Sequence, residues 1–427
     1  MRTRYYQRLI LAFVLPLFSA CALLEAPLGL LGFGETAAAV LWTDRPEFAL
    51  YAENFNSSQN RYKIEVRYFE SLAQALKDSG ENPDIAVGSW LKSASTRTLF
   101  RPLDNLLKNK SLDPASFYSH ILNLGRIDGT QYLFPVSFNI PALVFSRENS
   151  GLLSNFFVTG LEEIKSLGKE YNRRLNSSFS RMGFSPSWSN EFLYITAALF
   201  NASFREDSPL TWDAQALEEA VLYIREWIQE VNGGIEAEDD FVFKYFYDPP
   251  SKLAVMGRIL FTYMDSSGFF TLSEEQRSNL DFRWVAENDR IPLVEDMTYF
   301  GLCRGGKAGK ASTAFTLWFF QEETQRLLME RSRTNRLNET LFGIANGFST
   351  IKTVTEQVFP QYYPGLLGHM PPETFLLPPN VLPGNWPALK ERVILPYLHD
   401  RIYSPSLEED RSLERSLADW IRANQGL

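Results

Sequence analysis

Two cysteines and three histidines in 427 residues leave little material for disulfide or metal chemistry. Cys21 and Cys303 are the only thiols, and His120, His369 and His399 stand far apart with no metal-ligand spacing, so no metal site and no cofactor is expected. Basic charge is also short. Lys and Arg number 42 against 51 Asp and Glu, a net charge of −9 that speaks against a nucleic-acid partner, which would want a basic face. Long apolar runs are missing too. Leu9 to Phe18 is too short to span a bilayer, which takes roughly 20 apolar residues, and no later run is long enough. There is no nucleophile elbow and no Cys/His pairing.

What is present begins at the N-terminus. Arg2, Arg4 and Arg8 precede the apolar run, which closes on Ser19-Ala20-Cys21. A charged head, a short apolar core and small residues before the cut make a secretory signal peptide. Leu17-Phe18-Ser19-Ala20-Cys21 resembles a bacterial lipobox, although Phe18 stands where Leu is commonest. The resemblance implies that residues 1–20 are removed, that Cys21 is acylated, and that residues 21–39 form a tether to the membrane. Each buried methylene of such an anchor adds about 0.8 kcal/mol. With Cys21 committed to lipid, Cys303 is left without an intrachain partner. Its apolar surroundings, Tyr299-Phe300-Gly301-Leu302, predict a buried and inert thiol.

Behind the tether, strand-like and helix-like segments alternate. Asp44 to Glu47 has the spacing of a capping box. Phe48, Tyr51, Ala52 and Phe55 then recur at helical period, and Ile64, Val66 and Tyr68 alternate as in a strand. Pro83 to Gly88 suits a strand buried on both faces. Two extended pieces are expected between Tyr132 and Phe145, and amphipathic helices over 161–175 and 216–231. A strand over 259–264 should run into a turn at Asp265 to Gly268. A long helix is expected over 311–331, and a further one over 389–399. The alternation marks an open α/β architecture, and the 407 residues left after a 20-residue leader is removed from 427 suit two domains.

Several of these stretches, taken in order, resemble the extracellular solute-binding proteins that feed ABC importers, of the maltose and glycerol-phosphate type. They are Tyr51 to Asn56 with Ile64-Glu65-Val66; Pro83 to Val87 with Phe100-Arg101-Pro102-Leu103-Asp104; Asp128-Gly129 through Tyr132 to Val136, then Pro141 to Glu148; and Met264 to Gly268. The resemblance covers nearly all of 40–400. It implies the two-lobed periplasmic-binding-protein fold, each lobe a sheet flanked by helices, joined by crossover hinge segments. The N-terminal lobe would comprise 40–135 and 290–340, and the C-terminal lobe 136–289 and 341–427. Such a protein performs no chemistry. It closes on a small solute, a sugar by the family's precedent, and presents it to permease subunits, working as a monomer.

The family's cleft loops fall on particular residues here. In the first lobe they are Trp42 and Asp44 after the first strand, and Ser89 and Trp90 after the third, all at the carboxyl-end rim where open sheets bind ligands. Asn139 follows the first crossing, where some relatives carry Glu. Phe184 and Trp188, then Asp265, Ser266 and Ser267, come from the second lobe, with Trp386 from the late Pro/Gly-rich part. Several have a purely structural alternative: Asp44 as a helix cap, Trp90 as packing, Asn139 and Asp265 to Ser267 as turn residues. No Arg or Lys is plainly placed for a phosphate, although Arg45 and Lys92 sit beside cleft positions; within the family, a glycerol phosphate or glycerophosphodiester is the nearest variant of a sugar solute. A surface adhesin or sensor on the same fold is a rival reading. So is a secreted glycosidase, for which paired acids such as Asp239-Asp240 and Glu295-Asp296 would be needed; such runs are usually solvated faces.

Overall fold

The computed structural model describes residues 37–108, 111–403 and 412–424; the signal peptide and Cys21 lie outside these. Twelve strands carry the argument: β1 (Ala37–Thr43), β2 (Tyr62–Tyr68), β3 (Ile85–Gly88), β4 (Leu133–Phe138), β5 (Pro141–Ser146), β6 (Val158–Thr159), β7 (Phe261–Asp265), β8 (Leu280–Val285), β9 (Ile291–Pro292), β10 (Thr298–Leu302), β11 (Phe348–Ser349) and β12 (Leu376–Leu377). The helices that matter are α1 (Phe48–Ser58), α2 (Asn190–Leu199), α3 (Ala214–Val231), α4 (Ser266–Phe270), α5 (Gly309–Phe319) and α6 (Glu322–Thr334).

The first sheet runs in the order β11-β4-β10-β3-β1-β2, and the second β7-β5-β8-β6. In the first, β1 is parallel to both β2 and β3, while β10 lies antiparallel to β3 and β4. Every residue of β3 is buried, which is why Ile85-Ala86-Val87-Gly88 shows no polar alternation. In β2, an edge strand, only Ile64 is fully buried. The apolar stripe of α1 packs on α5, with Phe48 and Phe319 rings 5.2 Å apart and Phe55 and Phe315 5.3 Å apart. Offset rings at such spacing gain about 1 kcal/mol beyond the area they bury.

The chain crosses between the sheets three times. Asn139 and Ile140 join β4 to β5; the stretch from β8 to β10 returns; and a third passage carries β12, whose Leu376 pairs with Ile291 of β9 in parallel. Since β5 has both faces covered, its side chains divide between two cores. Ala142 and Val144 join the larger, which extends through the first sheet, whereas Leu143 and Phe145 join the core under α2 and α3.

Some expectations need correction. Helix α1 has no side-chain cap; Glu47 precedes it in a helical conformation, so there is no capping box. The expected turn after β7 is the short helix α4, capped by Asp265. The long helix over 311–331 is two helices, broken where Phe320 turns inward against Phe117 and Phe134. The first sheet also keeps Phe348–Ser349, so the chain leaves it later than the boundary at 340. Cys303 is buried and unpaired, and burial pushes its thiol up to about 12, as an inert core cysteine requires.

Candidate functional site

At the carboxyl end of β1 and β3 the backbone turns out of the first sheet, and a cluster of charged and polar groups gathers there. The Thr43 hydroxyl accepts from the Arg45 amide at 2.9 Å and fixes the turn. Arg45 Nε lies 3.5 Å from the Asp44 carboxylate, and its Nη2 donates to Asp296 Oδ1 at 2.6 Å. The Ser89 hydroxyl hydrogen-bonds with both Arg45 and Asp296, while the Ser89 amide donates to Asp44 Oδ2 at 3.3 Å. Gly88 is needed here because a Cβ at that position would fall 2.5 Å from Asp44 Oδ1. Asp296 belongs to the second crossing, so Arg45 ties the rim of the first sheet to a hinge segment.

Burial shapes the electrostatics of this cluster. Desolvation lifts the Asp44 carboxyl to about 6, with Asp296 adding to the rise and Arg45 opposing it. Glu47 is buried with neither carboxylate oxygen hydrogen-bonded, and desolvation raises its pKa as well. Three carboxyls thus face one guanidinium. The rim is acidic.

Trp90 follows directly. Its backbone sits at φ 62°, the left-handed region that disfavours a bulky side chain. A strained conformation at a partly exposed aromatic, beside a charged rim, is the pattern of a functional position. The Trp90 ring packs partly against the core of the second lobe. A few residues on, the Ala94 amide donates to Glu206 Oε2 at 2.8 Å, and Glu206 lies between α2 and α3. The two lobes therefore touch along this edge.

Asn139 forms the second junction. Its Oδ1 accepts from the Ser266 hydroxyl at 2.6 Å, its Nδ2 donates to the Asn346 carbonyl at 2.9 Å, and its own carbonyl accepts from the Val294 amide at 2.9 Å. Val294 is two residues before Asp296, which places this junction next to the charged rim. The Ser266 hydroxyl also accepts from the Ile140 amide at 3.2 Å. Asp265 Oδ1 is occupied by the Ser267 hydroxyl at 2.9 Å and the Gly268 amide at 2.6 Å.

The sequence-derived candidates therefore separate. Asp44, Ser89 and Trp90 come together at the rim, and Asn139, Asp265, Ser266 and Ser267 at the adjoining crossing. Trp42, Phe184 and Trp386 are core side chains. Trp42 packs on Phe69 at 4.6 Å, Phe184 on Phe192 at 4.9 Å, and the wholly buried Trp386 on Phe204 at 5.7 Å. Each was placed by the order of strands and loops, which does not say whether a ring turns inward or outward. Trp188 is partly exposed and stacks on Phe241 at 5.8 Å and 14°.

Arg45, Asp296, Glu295 and Lys390 were not among the candidates. Glu295-Asp296 had read as a solvated pair, yet Glu295 is buried, bonded to the Lys390 ammonium, and accepts from Trp386 Nε1 at 3.3 Å. Lys390 also reaches Glu191 Oε2 at 2.6 Å. Cavities of about 150 Å³ and 30 Å³ flank Glu295, the smaller lined by Trp90, Lys92 and Asn380. Among the described residues no group of His, Cys, Asp and Glu could hold a metal, and no helix is long and apolar enough to cross a membrane.

Two sheets sharing three crossings, with a polar rim between them, define a two-lobed binding protein of the maltose-binding type. The chain belongs to the bacterial extracellular solute-binding proteins, whose family model matches residues 51–337. Membership places it among exported proteins. No curated protein matches the chain. Among solved structures it is similar to an ABC substrate-binding protein of Listeria monocytogenes in complex with cycloalternan, with a TM-score of 0.58, 13% identity, and 91% of this chain and 99% of that one covered. A cyclic alpha-maltosyl-1,6-maltose binding protein of Arthrobacter globiformis gives 0.58 and 14%, over 89% and 96%. A sugar transporter of Rhizobium etli in an open conformation gives 0.61 and 12%, over 91% and 99%. At such identities the likeness speaks for the fold.

Proposed function

We propose that this chain is the lipid-anchored receptor of an ABC importer, that it captures a saccharide between its lobes, and that it hands the solute to a permease without altering it. The acidic rim carries this reading. Asp44, Asp296 and Glu47 outnumber Arg45, whose guanidinium is already shared between carboxylates and the Ser89 hydroxyl. Such a set repels a phosphate, yet paired charges of this kind hydrogen-bond well to neutral hydroxyls. Trp90 supplies the flat apolar face that sugar C–H groups need. Trp188 is a second aromatic candidate, and Asp265, Ser267 and Asn139 are polar groups at the edge of the same junction.

The cavities beside the rim are small next to the roughly 300–1,000 Å³ of usual ligand sites. On this reading the lobes part to admit solute, and the Ala94–Glu206 contact breaks as they do. A saccharide is favoured as the solute because two proteins of similar fold are described with cycloalternan and with cyclic alpha-maltosyl-1,6-maltose. A thermal-shift panel of saccharides, polyols and glycerophosphodiesters tests the choice. Solute at 100 times its dissociation constant adds about 2.7 kcal/mol of stability, a rise of a few degrees. A shift with phosphodiesters and none with saccharides reverses the assignment. Acylation is tested by fatty-acid labelling, expected in the wild type and lost in Cys21→Ser.

A further inference from the structure

A separate cavity of about 310 Å³ shares no lining residue with the rim. It lies where the segment from Phe269 to Phe282 of the second lobe meets α6 of the first and the chain from Gln361 to Gly365. Its apolar side is aromatic: Phe270 lies 5.3 Å from the Tyr363 ring and 5.6 Å from Phe282. The volume is that of a small-molecule site.

Its charge is unbalanced. Arg277 is half-buried, and one Nη donates to the Phe270 carbonyl while the guanidinium stands 5.9 Å over the Tyr363 ring. A guanidinium has five N–H donors, and among the described residues no carboxylate comes within 4.0 Å of this one. Burial lowers its pKa, with Tyr363 and Glu274 opposing the fall. Arg147 and Arg333 also line the cavity, against Glu274 and Asp281. Asp281 is already committed to Arg283 at 3.1 Å and the Ser150 hydroxyl at 2.9 Å. A partly desolvated cation that Glu274 compensates only from beyond 4.0 Å is costly, and a ligand anion relieves it.

We propose that this cavity is a second ligand site, which takes an organic anion: a phosphate or carboxylate held by Arg277 and Arg333, on a planar apolar body set against Phe270, Phe282 and Tyr363. A neutral sugar leaves the arginines uncompensated, and a bare inorganic ion leaves the aromatic wall uncovered. The site does not overlap the cleft. Because its walls come from both lobes, an occupant there contacts both bodies at once.

Calorimetric titration of the full chain with phenyl phosphate tests the site, with inorganic phosphate and benzyl alcohol as half-probes. Phenyl phosphate should bind saturably and each half-probe roughly tenfold more weakly or worse, the loss expected when a bidentate charged contact or an aromatic face is removed. Arg277→Gln and the exposed Arg333→Gln should each weaken phenyl phosphate about fivefold or more, whereas Arg45→Gln at the rim should not. Should Arg277→Gln fold poorly, Arg333→Gln alone decides, since its side chain is exposed. Absence of saturable binding, or a loss with Arg45→Gln in place of Arg333→Gln, overturns the proposal.

Discussion

The Ser266 hydroxyl donates to Asn139 Oδ1 at 2.6 Å, and so fastens the helix after β7 to the first crossing between the lobes. Ser266 is wholly buried, and Asn139 spends its amide on the Asn346 carbonyl. Both residues therefore act first as a pin for the crossing. Removal of one partner strands the other in a desolvated place.

Asn139→Ala and Ser266→Ala should each cost about 1–3 kcal/mol of stability, as expected for a buried hydrogen bond left half-made. In a double-mutant cycle by denaturant unfolding, the pair should couple by about 1 kcal/mol. Additive losses would show that the two do not act together.

Trp90 and Trp386 should behave oppositely. Trp90 is partly exposed and backbone-strained, so Trp90→Ala should weaken solute binding about tenfold, or 1.4 kcal/mol, with little loss of melting temperature. Trp386 is wholly buried, so Trp386→Ala should cost about 3–5 kcal/mol of folding stability. Early melting with normal affinity in Trp90→Ala would return that ring to the core.

Stability should depend on the protonation of Asp44. Its folded pKa of about 6 exceeds its unfolded value of 3.8, so the folded state binds the proton more tightly. The resulting contribution is complete below about pH 4 and is lost as pH rises through 6. A rise of about two pH units in pKa corresponds to about 3 kcal/mol. Unfolding of wild type and Asp44→Asn between pH 4 and 8 should therefore show the variant gaining on the wild type as pH rises. Parallel curves would mean that Arg45 fully offsets the burial.

The Ala94–Glu206 hydrogen bond should bias the protein toward closure. Its loss in Glu206→Ala should increase the radius of gyration measured by small-angle scattering without solute, and saturating solute should restore it. An unchanged radius in the variant would mean that this contact does not hold the lobes together.

Much of the fold was legible in order along the chain. The periodicity of Phe48, Tyr51, Ala52 and Phe55 gave α1, and the unbroken apolar run before Gly88 gave a central strand, because burial writes itself into local pattern. The break between α5 and α6 left less trace, since Phe320 and the residues around it are apolar whether they continue a helix or turn inward.

Local order along the sequence carried the α/β class of the fold, and the family resemblance pointed to the carboxyl-end rim where Asp44, Ser89 and Trp90 stand. Tertiary structure alone decided the partners. Arg45 meets Asp296 across 251 positions and Lys390 meets Glu295 across 95, and no local pattern encodes such pairs. It also decided that Trp42 and Trp386 face inward while Trp90 stays partly exposed. Which way a ring points depends on the neighbouring sheet that covers it, and that neighbour comes from elsewhere in the chain.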